Sequence, residues 1–162
     1  MPHKKVLFLD IDGVVLPNKA AYLPNQTKPL WKIFDPCAVA LLNNICHRSR
    51  WKIVIHSSWL RYWTVHAEAY NSVKDYCIGQ GIKAGHFHDD AECRSDISWR
   101  YDRVDEWLSR HPEITRYVIL DDTAPPSDYP RIDHWIKCNA DEGITLDIHT
   151  FLTNYNGGKY AP

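Results

Sequence analysis

No apolar run in this chain approaches membrane-spanning length, and the N-terminus lacks a signal-peptide hydrophobic region because Asp10 cuts Val6 to Leu9 short. Paired cysteines are missing too. The five present (Cys37, Cys46, Cys77, Cys93, Cys138) are odd in number and widely spaced, with no C-x-x-C. That argues against a disulfide framework or zinc ribbon and for a reducing, cytoplasmic setting. Nor is there an excess of one charge. At a net −1, no global field draws in nucleic acid or membrane, and any basic surface must be local. A membrane partner is not expected. The sequence has no internal repeat or low-complexity block.

What is present suits one ordinary globular domain. At 162 residues, 44% hydrophobic and 24% charged, the chain is long enough for a full core. One domain is expected over residues 1–156, with a loose tail over 157–162 beginning in Asn156-Gly157-Gly158. Seven Trp and nine Tyr are many for this length and suit either stacking surfaces or core and rim packing.

The chain turns on residues 6 to 16, Val-Leu-Phe-Leu-Asp-Ile-Asp-Gly-Val-Val-Leu. Val6 to Leu9 reads as a strand buried on both faces, as in a parallel sheet covered by helices. Continued as strand, Asp10 and Asp12 would crowd like charges on one face, so the strand ends at Asp10 and Gly13 allows a tight departure. Acids then gather at the carboxyl end of a central strand, where open α/β sheets bind ligands. An all-oxygen set of this kind suits magnesium. A purely structural acidic turn would look the same in isolation, so later segments decide.

Residues 14 to 34, broken by Pro17, Pro24 and Pro29, read as a turn and flap. Asp35-Pro36 starts a helix, with Asp as N-cap and Pro in the first turn. Ala38, Leu41, Leu42, Ile45 and Cys46 form its apolar stripe. Trp51 to Ile55 is a second buried strand, followed by a helical segment carrying Val65, Ala69, Val73, Tyr76 and Cys77 that ends near Gly79 to Gly81. A short third strand is expected near Ile82 to Phe87. Arg100 to Arg110 reads as an amphipathic helix, Tyr117 to Leu120 as a strand ending in Asp121-Asp122, and Ile132 to Lys137 as the last strand. Thr145 caps a final helix to about Asn154. Strands alternating with helices imply a Rossmann-like three-layer α/β/α sandwich with a mainly parallel sheet. No insertion is large enough for a second, cap domain.

Three strand ends thus carry polar chemistry: Asp10 and Asp12, then Ser57 and Ser58, then Asp121 and Asp122. Their order resembles the haloacid dehalogenase-like (HAD) phosphatases. The first motif, D-x-D-G-[TV], is Leu-Asp-Ile-Asp-Gly-Val here, and the second is Ile-Val-Ile-His-Ser. A Lys or Arg near a helix start is the third, and Val-Ile-Leu-Asp-Asp is the fourth. Ser-Ser-Trp and the late Glu-Gly-Ile-Thr-Leu (142 to 146) are similar to small HAD domains associated with nucleic-acid repair.

The resemblance implies roles. Asp10 would be the nucleophile that forms an aspartyl-phosphate, and Asp12 the general acid and base. Mg2+ would be held by Asp10, the main-chain carbonyl of Asp12, and Asp121 or Asp122. Ser57, or Ser58 if the strand runs one residue further, would bind a phosphoryl oxygen. Arg100 or Arg103 would add positive charge; Arg103 otherwise reads as a solvated helix charge. Trp59, Arg61, Tyr62 and Trp63 should border the site, either stacking bases or packing as a helix stripe.

The expected activity is therefore a capless phosphomonoesterase with an open site suited to bulky substrates, nucleic-acid ends among them. A small-molecule phosphatase or phosphotransferase, or a non-catalytic module on the same fold, are the alternatives. His86 and His88 invite a transition-metal reading, but nothing in the sequence completes a tetrahedral set, so they are expected in a solvent-facing loop.

Overall fold

The computed structural model describes residues 4–24, 26, 33–62, 70–94 and 101–161. Five strands form one all-parallel sheet: β1 (Lys5–Leu9), β2 (Lys52–Ile55), β3 (Phe87–Glu92), β4 (Arg116–Asp121) and β5 (Trp135–Lys137), in the order β3-β2-β1-β4-β5. The helices are α1 (Pro36–Ser49), α2 (Trp59–Tyr62), α3 (Val73–Gly79), α4 (Asp102–Arg110) and α5 (Leu146–Thr153). The described residues form one α/β domain, and no cap domain stands among them.

The central strand is β1, with Val6 to Leu9 fully buried and paired to β2 and β4 on its two sides. From β1 to β2 the chain moves one way across the sheet, and from β3 to β4 it returns past β1. With right-handed crossovers, those opposite moves put α1 and α4 on opposite faces. Phe8 of β1 meets the fully buried Trp107 of α4 edge-on at 5.3 Å. On the other face α1 is tied to its neighbours by polar contacts: His149 Nε2 to Asn44 Oδ1 at 2.8 Å, and Asn43 Nδ2 donating to the Gly81 carbonyl at 2.9 Å.

Local chemistry sets the helix starts. The Asp35 side chain accepts from the amides of Cys37 and Ala38, with Pro36 in the first turn, and Thr145 accepts from Ile148 N. Two strands begin later than the sequence suggests. The third spans Phe87–Glu92, not Ile82 to Phe87, and a 3-10 turn at Ile132–His134 delays β5 to Trp135. Phe87–Glu92 is an edge strand, paired only to β2 and irregularly so. Its polar composition carries no hydrophobic alternation to mark it. The helix expected from Arg100 starts at Asp102. Val65 and Ala69, expected in a helix, lie outside the described residues.

Candidate active site

The loop after β1 is built by one carbonyl. Ile11 O accepts from the amides of Val14, Val15 and Leu16, and Gly13 N returns a bond to Leu16 O at 2.9 Å. Gly13 sits at φ +71, and a Cβ there would lie 2.5 Å from Cβ, Cγ and Oδ2 of Asp122. Glycine is therefore required twice, for the backbone conformation and for the approach of the β4 acid. The late Glu-Gly-Ile-Thr-Leu segment braces the same loop. Ile144 N donates to Val14 O at 3.1 Å, and a Cβ on Gly143 (φ +71) would stand 2.3 Å from that carbonyl.

Three acids converge here. Carboxylate oxygens of Asp10, Asp121 and Asp122 lie within 4.8 Å of one another. Asp10 and Asp121 are buried, at 3% and 0% exposure, and Asp122 is partly buried. Asp10 N donates to Leu120 O at 3.0 Å, which holds the ends of β1 and β4 level, and Asp10 Oδ1 accepts from Ile11 N at 2.8 Å. Asp121 Oδ1 accepts from Thr123 N at 2.9 Å. Because β1 and β4 lead to opposite sides of the sheet, the cluster occupies its switch point.

At a separation of about 5 Å and an effective dielectric near 20, each like-charged pair costs roughly 3 kcal/mol. A hard divalent cation removes that cost, and three carboxylates are the donor set it takes. Cys138 lies beside the cluster. Burial first, then the charges of Asp121, Asp10 and Asp122, push its thiol far above the usual range, so it stays protonated.

Asp12 differs from these acids in being exposed. Its Oδ2 accepts the Trp59 indole N–H at 2.8 Å. Trp59 is itself held by aromatic neighbours, with Tyr76 at 5.5 Å and Phe34 at 6.3 Å between ring centroids. That packing commits Trp59 to the protein, while Arg61 and Tyr62 remain exposed. Ser57 is buried, its Oγ accepts from Trp59 N at 3.3 Å, and Ser58 is exposed.

Arg103 is 9% exposed in the first turn of α4, so it is not a solvated helix charge; its carbonyl accepts from the Cys93 thiol. Arg100 and Trp63 lie outside the described residues. His56 escaped the sequence reading. It is buried, with Nδ1 4.0 Å from Asp121 Oδ2. Its only sequence signal is a polar residue continuing an apolar strand.

Nor is the His86 to Asp90 segment a solvent-facing loop. His88 is buried in β3, edge-on to Trp107 at 5.1 Å. It groups with His111 and Glu113, whose ligand-capable atoms lie within 4.8 Å of one another. Three of the four ring nitrogens already have partners: Asp90 N donates to His88 Nδ1, and the His111 ring bridges Asp90 and Glu113. The group ties β3 to the end of α4.

Residues 6–147 match the family described as the HAD domain in Swiss Army Knife RNA repair proteins. The chain belongs to that family. The match spans the β1 acids, Ser57, the β4 acids and the late Glu-Gly-Ile-Thr-Leu brace, and it ends at the start of α5. No curated protein and no solved structure matches the chain. Among the described residues, no helix is long and apolar enough to cross a membrane.

Proposed function

We propose that this HAD domain is a magnesium-dependent phosphomonoesterase acting on polynucleotide ends. The supporting observation is the pairing of a buried Asp10–Asp121–Asp122 cluster with an exposed Asp12 whose oxygen is fixed by Trp59. Membership of an RNA-repair family favours nucleic-acid ends over small metabolites. Among the described residues no cap covers the site, which leaves room for a long substrate.

Asp10 attacks phosphorus, the bond to the leaving oxygen breaks, and Asp12 gives that oxygen its proton. Asp12 then takes a proton from water as the water oxygen attacks the aspartyl-phosphate, which releases phosphate and restores Asp10. The indole N–H occupies Oδ2 of Asp12, so the other oxygen exchanges the proton. Asp10, Asp121, Asp122 and the Asp12 carbonyl would hold Mg2+, which when bound neutralises charge between nucleophile and phosphate. Ser57 donates to a phosphoryl oxygen, with Ser58 and Arg61 on the rim, and Arg100 or Arg103 supplies positive charge.

A phosphate-release screen tests this, spanning 3′- and 5′-phosphorylated oligoribonucleotides, nucleotides, sugar phosphates and phosphopeptides. Wild type should prefer an oligonucleotide end and need a divalent cation, and Asp10→Asn should release nothing. Wild-type rates in Asp10→Asn, or undiminished turnover in excess chelator, would exclude the mechanism.

A further inference from the structure

The end of the sheet opposite the acids carries a cleft of about 510 Å3 lined by Lys4, Lys5, His47, Arg50, Lys52 and His86, with no carboxylate among its lining residues. In a chain of net charge −1, that is a strong local concentration of one sign. Part of it has a structural use. Lys5 Nζ donates to Ser49 O at 3.5 Å, at the carboxyl end of α1, and Lys52 Nζ donates to Gly85 O at 2.5 Å. A helix C-terminus, however, offers only about half a negative charge. Four Lys and Arg side chains exceed it severalfold, so most of the positive charge is unmatched within the cleft.

Two details point to an anionic ligand. His86 lines the cleft, and its buried Nε2 has no hydrogen-bond partner among the described residues, which leaves an uncompensated polar group at the cationic wall. Burial, and after it Lys83, Lys52 and His47, holds the His86 imidazole below its usual range, so the positive field reaches that atom. Arg50 holds a left-handed conformation (φ 56) at the end of α1. Glycine would take that position at lower backbone cost, yet a long cation stands there.

We infer that this cleft binds the phosphodiester backbone of an RNA strand whose phosphorylated end lies at Asp10. The strand's identity as substrate rests on the function proposed above. Lys5 and Asp10 are five residues apart along β1, about 17 Å at the rise of a strand. Only an oligonucleotide can therefore reach both sites, and a mononucleotide cannot. The bases need not be read, because lysines and arginines on a backbone give affinity without sequence preference.

The test is fluorescence polarisation of a labelled oligoribonucleotide against the full chain without divalent cation, over a range of salt. It compares wild type, Lys4→Gln/Arg50→Gln and Lys4→Arg/Arg50→Lys. Both side chains are exposed, and thermal melting checks that the variants fold. The Gln variant should bind more weakly, with a salt slope shallower by about 0.7 per lost phosphate contact, and the charge-conserving variant should retain the slope. Mononucleotide turnover should be unchanged.

Equal affinity and slope in wild type and the Gln variant would overturn the inference, whatever the enzyme does. So would binding to phosphatidylserine vesicles but not to RNA, which would assign the cleft to a membrane surface. Cleft-dependent RNA binding with no phosphate release from any substrate would uphold the cleft and remove the phosphatase reading.

Discussion

The Trp59 indole N–H donates to the Asp12 carboxylate at 2.8 Å, joining the first turn after β2 to the loop after β1. Trp59 thereby fixes which oxygen of Asp12 faces the protein, and the proposed mechanism uses the other toward the substrate. Trp59→Phe keeps the ring against Phe34 and Tyr76 and removes only the donor. A bond to a charged acceptor contributes about 1.5 kcal/mol at the lower end of its range, so kcat should fall about tenfold with KM little changed. Asp12→Asn should cost more in kcat, and Trp59→Phe should add little in that background. Steady-state kinetics of the two single variants and the double variant check this; additive losses would show that Trp59 acts elsewhere.

Cation binding should be visible without turnover. The three clustered carboxylates destabilise the cation-free fold, and Mg2+ at a hundred times its dissociation constant adds about 2.7 kcal/mol. For a chain of this size that raises Tm by roughly 5–10 °C. Asp121→Asn should melt no lower than wild type without the ion and should lose most of the Mg2+-dependent rise. Thermal melting with and without Mg2+ decides it, and an equal rise in both proteins would place the ion elsewhere.

Gly13 is the position most sensitive to a single methyl. In Gly13→Ala the Cβ collides with Asp122 and the backbone keeps φ +71, at a cost of about 1–3 kcal/mol. Displacing Asp122 should also reduce the Mg2+-dependent rise in Tm. Gly85→Ala is the control, since a Cβ there meets nothing within 4 Å, and it should stay within about 0.5 kcal/mol of wild type. Chemical denaturation of the two variants side by side gives the comparison.

Buried thiols make the fold sensitive to alkali. Burial pushes Cys46 and Cys93 up to about 12, and Cys77 and Cys138 higher still. An unfolded thiol loses its proton near 8.5. Above that pH the unfolded chain binds fewer protons than the native one, so stability falls as pH rises. The full contribution is present below about 8.5 and drains away toward 12 and beyond. Denaturation midpoints from pH 8 to 11 should fall, and less steeply in Cys46→Ala. Native thiol titration should find Cys37, the exposed one of five, reacting first.

Much of this was legible in the chain because it depends on local pattern. An apolar run ending in Asp-x-Asp-Gly, another ending in His-Ser-Ser, and a third ending in Asp-Asp mark three strand ends whichever helices cover them. Asp35-Pro36 and Thr145 mark helix starts through bonds to their own next turn. Such signals hold because the physics spans only a few residues.

What the sequence left open depends on contacts between distant segments. Phe87–Glu92 becomes a strand because β2 has a free edge to pair with, not through its own polar residues. Trp59 meets Asp12 across 47 residues, and only the adjacent ends of β1 and β2 bring them together. His88 is buried because Trp107 of α4 and His111 just past its end cover it. Gly13 allows a tight turn on any sequence reading, but only the fold brings Asp122 within 2.5 Å of where its side chain would be. Strand ends and caps are local properties of the chain, whereas the partner of each side chain follows from strand order, which only the folded sheet establishes.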